Sequence, residues 1–247
     1  MKARAIDIVE IEKSYKDTKV LKGVTFQVRY GEIVALLGSN GAGKTTTLNI
    51  ICGFLKQTKG SIQVAGHTHQ FDLGIIRSKI GYVTQEMALY EKLSVKETVM
   101  FIGEYRGVEK SKLNEMKEYF WNIFDLAEIE DKKFKDLSSG QKQRAIIAAQ
   151  LIHDPEILIL DEVTASIDIV TSKKIMDFIK IEREKGKAIL FSTHILSEAE
   201  YLSDRIIILD EGEVIEETTS SNLIKDYDSK NLFEAFFRSI NEHKKVS

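Results

Sequence analysis

Ile33-Val34-Ala35-Leu36-Leu37-Gly38-Ser39-Asn40-Gly41-Ala42-Gly43-Lys44-Thr45-Thr46 joins an unbroken apolar run to a glycine-rich turn and a Lys-Thr pair. Gly38 to Thr45 fits G-x-x-x-x-G-K-[ST] in full. Each fixed residue has a chemical reason. The glycines let the backbone turn tightly and approach phosphate oxygens with no Cβ in the way. Successive N–H groups across Ser39, Asn40, Gly41, Ala42 and Gly43 then form an anion nest, and a helix opening at Lys44 adds its positive end. Lys44 is expected to reach the β- and γ-phosphates, Thr45 to ligate Mg²⁺ and Thr46 to donate to the α-phosphate. The motif follows a buried-strand pattern and opens a helix, which is the context it requires. Alone it implies a nucleoside triphosphate with Mg²⁺.

Working outward, Ile157-Leu158-Ile159-Leu160, Ala188-Ile189-Leu190-Phe191 and Ile206-Ile207-Ile208-Leu209 are further short apolar runs. Such runs read as central strands of a parallel sheet covered on both faces. Helical stretches over residues 44–55 and 169–184 lie between them, so the core is α/β. The second run ends in Asp161-Glu162. Ligands of open α/β sheets bind at the carboxyl ends of the strands. Asp161 is therefore placed to hold Mg²⁺ and Glu162 to act as general base on the attacking water. His194, just past the third run, can donate to the γ-phosphate and hold that water in line. Gln85 follows the strand-like Ile80-Gly81-Tyr82-Val83 and can ligate Mg²⁺ or orient water. Asp168 reads as the N-cap of the helix from Ile169. His67 and His69 read as an exposed turn, since two ligands do not make a metal site.

The rest of the chain surrounds this core. Ile6, Ile8 and Ile11, the alternating Val24-Thr25-Phe26-Gln27-Val28-Arg29-Tyr30, and Ile62 and Val64 predict an antiparallel sheet with one wet face. Residues 86–145 are richer in charge and show helical spacing, as in Tyr119, Ile123, Leu126 and Phe120, Phe124. They read as a helical insertion. Leu232 to Ile240 predicts a helix docked on its own domain, with a frayed end from His243. The 247 residues carry 35 basic and 38 acidic side chains, for a net charge of −3. That balance argues against a partner that is nucleic acid. The single cysteine, Cys52, sits in an apolar stretch and reads as core. The start lacks the apolar centre of a signal peptide, and no apolar run approaches the ~18 residues that span a bilayer.

Leu137-Ser138-Ser139-Gly140-Gln141, followed by Lys142-Gln143-Arg144, resembles the signature of ATP-binding cassette (ABC) ATPases. The phosphate loop, Gln85, the signature, Asp161-Glu162, the segment Val163 to Asp168 and His194 follow in that family's order over nearly the whole chain. The resemblance implies a P-loop NTPase core with a mainly parallel sheet, an N-terminal antiparallel β-subdomain and an inserted helical subdomain. It divides one ABC domain into residues 1–85, 86–145, 146–215 and a tail helix over 216–247. Tyr15 stands where the family stacks an aromatic on adenine, so ATP is the implied nucleotide.

The resemblance also implies a mechanism. Two cassettes pair head to tail, and Ser138 and the Gly140 N–H, with Gln141 nearby, would meet the γ-phosphate of the partner's ATP. The helical subdomain would pass motion from Gln85 to an integral-membrane permease, the only route of membrane contact. Two departures stand out: Ser139 replaces the first glycine of a Gly-Gly pair, and Val163 replaces a proline after Glu162. Thr193 to Glu200 and Leu232 to Phe236 look like the single-cassette ATPase subunits of exporters. The expectation is a Mg²⁺-dependent ATPase on the cytoplasmic face of the cell membrane, in a homodimer or heterodimer. The competing readings are an importer motor, a soluble or ribosome-associated ATP switch, and a clamp that binds ATP without turnover.

Overall fold

The computed structural model describes residues 3–84 and 89–246. Two long strands, β1 (Arg4–Tyr15) and β2 (Thr18–Arg29), open the chain as an antiparallel pair. β3 (Ile33–Leu37) then enters the core and leads through the glycine turn into α1 (Lys44–Ile51). α1 is shorter than the 44–55 expected. Gly53, at φ 70°, takes the left-handed position that ends a helix, and its amide donates to Ile50 O at 3.0 Å. β4 (Lys59–Val64) and the two-residue β5 (His67–Thr68) return to the first sheet, whose order is β2-β1-β4-β5.

α2 (Leu73–Lys79) and β6 (Ile80–Thr84) follow, and then three helices: α3 (Val95–Tyr105), α4 (Lys110–Phe124) and α5 (Ser139–Leu151). Ser94 opens α3 with a reciprocal capping box to Glu97. Phe120, Phe124 and Trp121 are buried as the helical spacing requires. Leu126 is buried beyond the helix, because Asp125 turns left-handed at φ 48° and ends α4. Phe124 and Phe178 lie 5.1 Å apart between ring centroids, joining α4 to α6 (Ile169–Glu184).

β7 (Ile157–Asp161), β8 (Ala188–Thr193) and β9 (Arg205–Asp210) complete the second sheet with β10 (Glu213–Thr218), in the order β10-β9-β3-β8-β7-β6. All neighbours pair in parallel except β10, which runs antiparallel to β9. The run 206–209 is thus parallel on one side only. The β9–β10 turn is Glu211-Gly212, both at positive φ, the geometry that matches the twist of a two-residue hairpin. Ala35, Leu160, Phe191 and Ile208 face the helices, and Leu36, Ile159, Leu190 and Ile207 face α1 and the antiparallel sheet. Two covered faces explain runs with no polar residue. Each fully buried aliphatic side chain contributes about 1.5–3 kcal/mol.

α7 (Leu196–Leu202), α8 (Ser220–Asp226) and α9 (Leu232–Val246) close the fold. α9 packs on α7, α8 and β10 through Leu232, Ala235, Phe236 and Ile240. It stays helical past His243 to Val246, where His243, Lys244 and Lys245 complement the helix dipole. Cys52 is buried. Among the described residues, no helix is long and apolar enough to cross a membrane.

His153 links α3 to the core. The Arg106 guanidinium lies 3.1 Å from its Nε2, which also lies 3.2 Å from Ile80 O, and its Nδ1 is buried with no partner among the described residues. Burial, then the Arg106 charge, lowers its pKa from 6.5 to about 4. The unfolded chain takes up this proton below pH 6.5, the folded chain only near pH 4. Stability from His153 is therefore complete above pH 6.5 and falls as pH drops through that window. The loss is at most about 3 kcal/mol, reduced by partial exposure. Urea unfolding of wild type and His153→Gln at pH 7 and 4.5 checks this. The variant is expected to lose less stability on acidification than wild type does.

Candidate active site

The carboxyl ends of β3, β7 and β8 meet around the glycine turn. Gly38 is there because a Cβ would lie 2.3 Å from Leu209 O. Gly43 combines φ 106° with a Cβ position 2.6 Å from Leu21 Cδ2. Ser39, Asn40 and Gly41 are exposed at the rim, while Ala42 is buried and accepts from the Gly212 amide at 3.1 Å. Thr46 is half-buried in the first turn of α1.

Lys44 is 6% exposed, and its Nζ donates to Gly38 O at 2.8 Å and Ser39 O at 3.2 Å. It also lies 4.0 Å from Glu162 Oε1. Burial lowers its pKa, against the opposing pull of Glu162 and Asp161. Thr45 Oγ1 donates to Asp161 Oδ2 at 2.9 Å, and Ser192 Oγ donates to Asp161 Oδ1. A hydroxyl beside a buried carboxylate is a hard-oxygen pair that fits Mg²⁺, which takes one or two protein ligands beside phosphate oxygens. Among the described residues, no group of three or more His, Cys, Asp or Glu side chains is suited to a metal.

Glu162 lies just past β7 at φ 51°. Its amide donates to Ser192 O at 3.2 Å, and its Oε2 lies 3.4 Å from His194 Nδ1. The cation, two carboxylates, hydroxyl and imidazole expected from sequence thus converge at one place. Gln85 lies outside the described residues. Tyr15 ends β1 with 47% of its surface exposed and the Lys13 ammonium 4.9 Å from its ring centroid.

The signature residues sit elsewhere. Ser138 caps α5: its Oγ accepts from the Gln141 amide at 3.3 Å, and Gln141 Oε1 accepts from the Ser138 amide at 3.1 Å. Among the described residues, no hydrogen bond or ion pair joins Ser138, Gly140 or Gln141 to the glycine turn. Gly140 has an internal reason to be glycine, since a Cβ would lie 2.9 Å from both Asp168 Oδ2 and Thr171 Oγ1. Asp168 caps α6 as expected, accepting from the Thr171 amide at 2.9 Å. Ser139 is exposed at the start of α5, and Val163 is buried in the helical-side core.

His67 and His69 are half-buried on and beside β5 rather than in an exposed turn. His69 Nε2 lies 2.9 Å from Ile51 O, and burial lowers its pKa. Ser192, Thr193, Thr164 and Glu198 were not singled out by sequence reasoning. Their signal is polarity where burial is required, because β8 is buried through Ser192 and Thr193.

Comparison with known proteins accords with this geometry. The defining pattern of the ABC transporter domain matches residues 21–165. The linearmycin resistance ATP-binding protein LnrL of Bacillus subtilis is 34% identical, over 94% of this chain and 75% of its own. The Nod factor export ATP-binding protein I of Paraburkholderia xenovorans is 34% identical, over 91% and 74%. Among solved structures, a dimeric ATP-binding cassette in a post-hydrolysis state, bound to ADP and Pi, superposes with a TM-score of 0.78. It is 32% identical and covers 87% of this chain and 98% of its own. The chain therefore belongs to the ABC transporter family, as an ATP-binding subunit.

Proposed function

We propose that the protein is the Mg²⁺-dependent ATP-hydrolysing motor of a membrane exporter, paired with a second cassette and coupled to a separate integral-membrane permease. One observation carries the reading: Lys44, Glu162, His194, Asp161 and Thr45 converge at the mouth of the glycine turn. Amides from Ser39 to Thr46 cradle the phosphates, and Tyr15 receives the adenine. Thr45 and Asp161, with Gln85, would hold Mg²⁺, which would supply charge neutralisation at the phosphates. Glu162 takes the proton of the attacking water, and His194 keeps that water and the γ-phosphate in line.

The second cassette supplies Ser138, Gly140 and Gln141 at the open side. In that pair the capped start of α5 would present a helix N-terminus to the nucleotide, where it favours an anion. The separation of the signature from the glycine turn within one chain supports pairing. Export rests on the relative named for Nod factor export, whose ATP-binding subunit this chain resembles along most of its length. The reading places residues 86–145 against the permease and the protein on the cytoplasmic face of the membrane, with no nucleic-acid partner.

Two measurements test it. Purified protein with Mg²⁺ and ATP is expected to release phosphate well above a Lys44→Ala control, and equal rates would sink the motor reading. An integral-membrane protein is expected to copurify from membranes. Recovery of the chain wholly free of any such protein would favour a soluble switch.

A further inference from the structure

Glu198 stands in the first turn of α7 and is 8% exposed. A carboxylate in such a place needs partners, because an unpaired buried charge is expensive. Its Oε2 accepts from Thr164 Oγ1 at 2.8 Å and from Thr193 Oγ1 at 2.9 Å. Both threonines are themselves buried, at 7% and 2% exposure. Thr193 Oγ1 in turn accepts from the Ile195 amide at 3.0 Å. The residues on both sides of His194 are thus tied to one carboxylate. Thr164 belongs to the turn after Glu162, which the Ala165 amide closes by donating to Glu162 O at 3.0 Å.

The sheet ladder holds β7 to β8 only as far as Asp161 opposite Ser192. Past that point the Glu162 amide donates to both Ser192 O and Ser192 Oγ, each at 3.2 Å. Glu162 and His194 both project from the unladdered segments. Glu198 bridges those segments on their buried side. We propose that Glu198, through Thr164 and Thr193, is a positioning residue that sets Glu162 and His194 against each other. This rests on the hydrolytic reading of that pair. The two charge-assisted hydrogen bonds on one oxygen add a buried tie between the segments to the contacts that the Glu162 amide makes with Ser192.

The proposal predicts a loss of turnover without a loss of binding. Thr164→Val keeps the side chain's shape and removes one donor. Glu198→Ala removes both acceptor contacts. Each is expected to lower kcat for ATP about tenfold, with KM within about twofold of wild type. Glu198→Gln keeps an acceptor oxygen and is expected to stay within about threefold of wild-type kcat. The double variant is expected to fall no further than Glu198→Ala alone, because both changes cut one link. Unchanged kcat in Thr164→Val overturns the proposal, and so do multiplying losses or a KM that rises in parallel.

A reading independent of turnover comes from NMR of the imidazoles. In Thr164→Val the His194 ring resonances are expected to move while those of His67, on the other sheet, stay in place. Stationary His194 signals overturn the proposal even in a protein that hydrolyses nothing. Shifted signals in a protein with no turnover above Lys44→Ala support the positioning role and reject the hydrolytic reading instead.

Discussion

Glu162→Gln is expected to lower ATP turnover at least about a hundredfold and to leave two cassettes locked around ATP. The carboxamide keeps the volume and the hydrogen-bonding reach of the side chain. It cannot take a proton from water, and it removes the charge that lies 4.0 Å from Lys44 and 3.4 Å from His194. Losing a negative charge beside the phosphates also strengthens ATP binding. The two effects act together: hydrolysis stops, and the nucleotide-bound pair accumulates. Phosphate release under saturating Mg²⁺-ATP reads the first effect. Size-exclusion chromatography with light scattering reads the second, as a dimer that forms only with ATP. Turnover within tenfold of wild type would remove Glu162 from the role of base. If wild type itself clamped ATP without turnover, the substitution would change neither quantity.

The parts of the fold that could be read from sequence are those where physics leaves few residue types. The glycine turn was legible because a Cβ at Gly38 collides with Leu209 O, and because phosphate binding needs free amides. The runs in β3, β7, β8 and β9 were legible because two covered faces exclude polar side chains. β10 was not. It is an edge strand of half-buried residues such as Glu213 and Glu216, entered by a Glu-Gly turn rather than the Asn-Gly that usually marks a tight hairpin. The end of α1 comes earlier than the pattern predicts, because Phe54 and Leu55 continue its apolar spacing beyond the left-handed Gly53. The Glu198 bridge was hidden for another reason. Thr164 and Thr193 are ordinary residues until the fold brings them to one buried oxygen, and nothing in local spacing announces a contact across 34 residues.

Lys44 separates binding from stability, because the fold holds its charge at a disadvantage. Burial lowers its pKa, so the ammonium is less well solvated here than in water. Among the described residues its donors meet the carbonyls of Gly38 and Ser39, with Glu162 4.0 Å away. A cation kept in that position contributes little to folding and is available to a triphosphate. Lys44→Met is therefore expected to weaken ATP binding about a hundredfold, the scale of one or two hydrogen bonds to a charged group. Its urea unfolding midpoint is expected to match wild type or exceed it, since the apolar stem remains and the desolvated charge is gone. Isothermal titration with ATP and equilibrium unfolding of the same preparation measure both. Affinity within threefold of wild type would remove Lys44 from the phosphate site. A loss of more than about 2 kcal/mol in stability with affinity intact would make it a structural residue of the loop. The expected result, binding lost and stability kept, is the one that a purely structural lysine cannot produce.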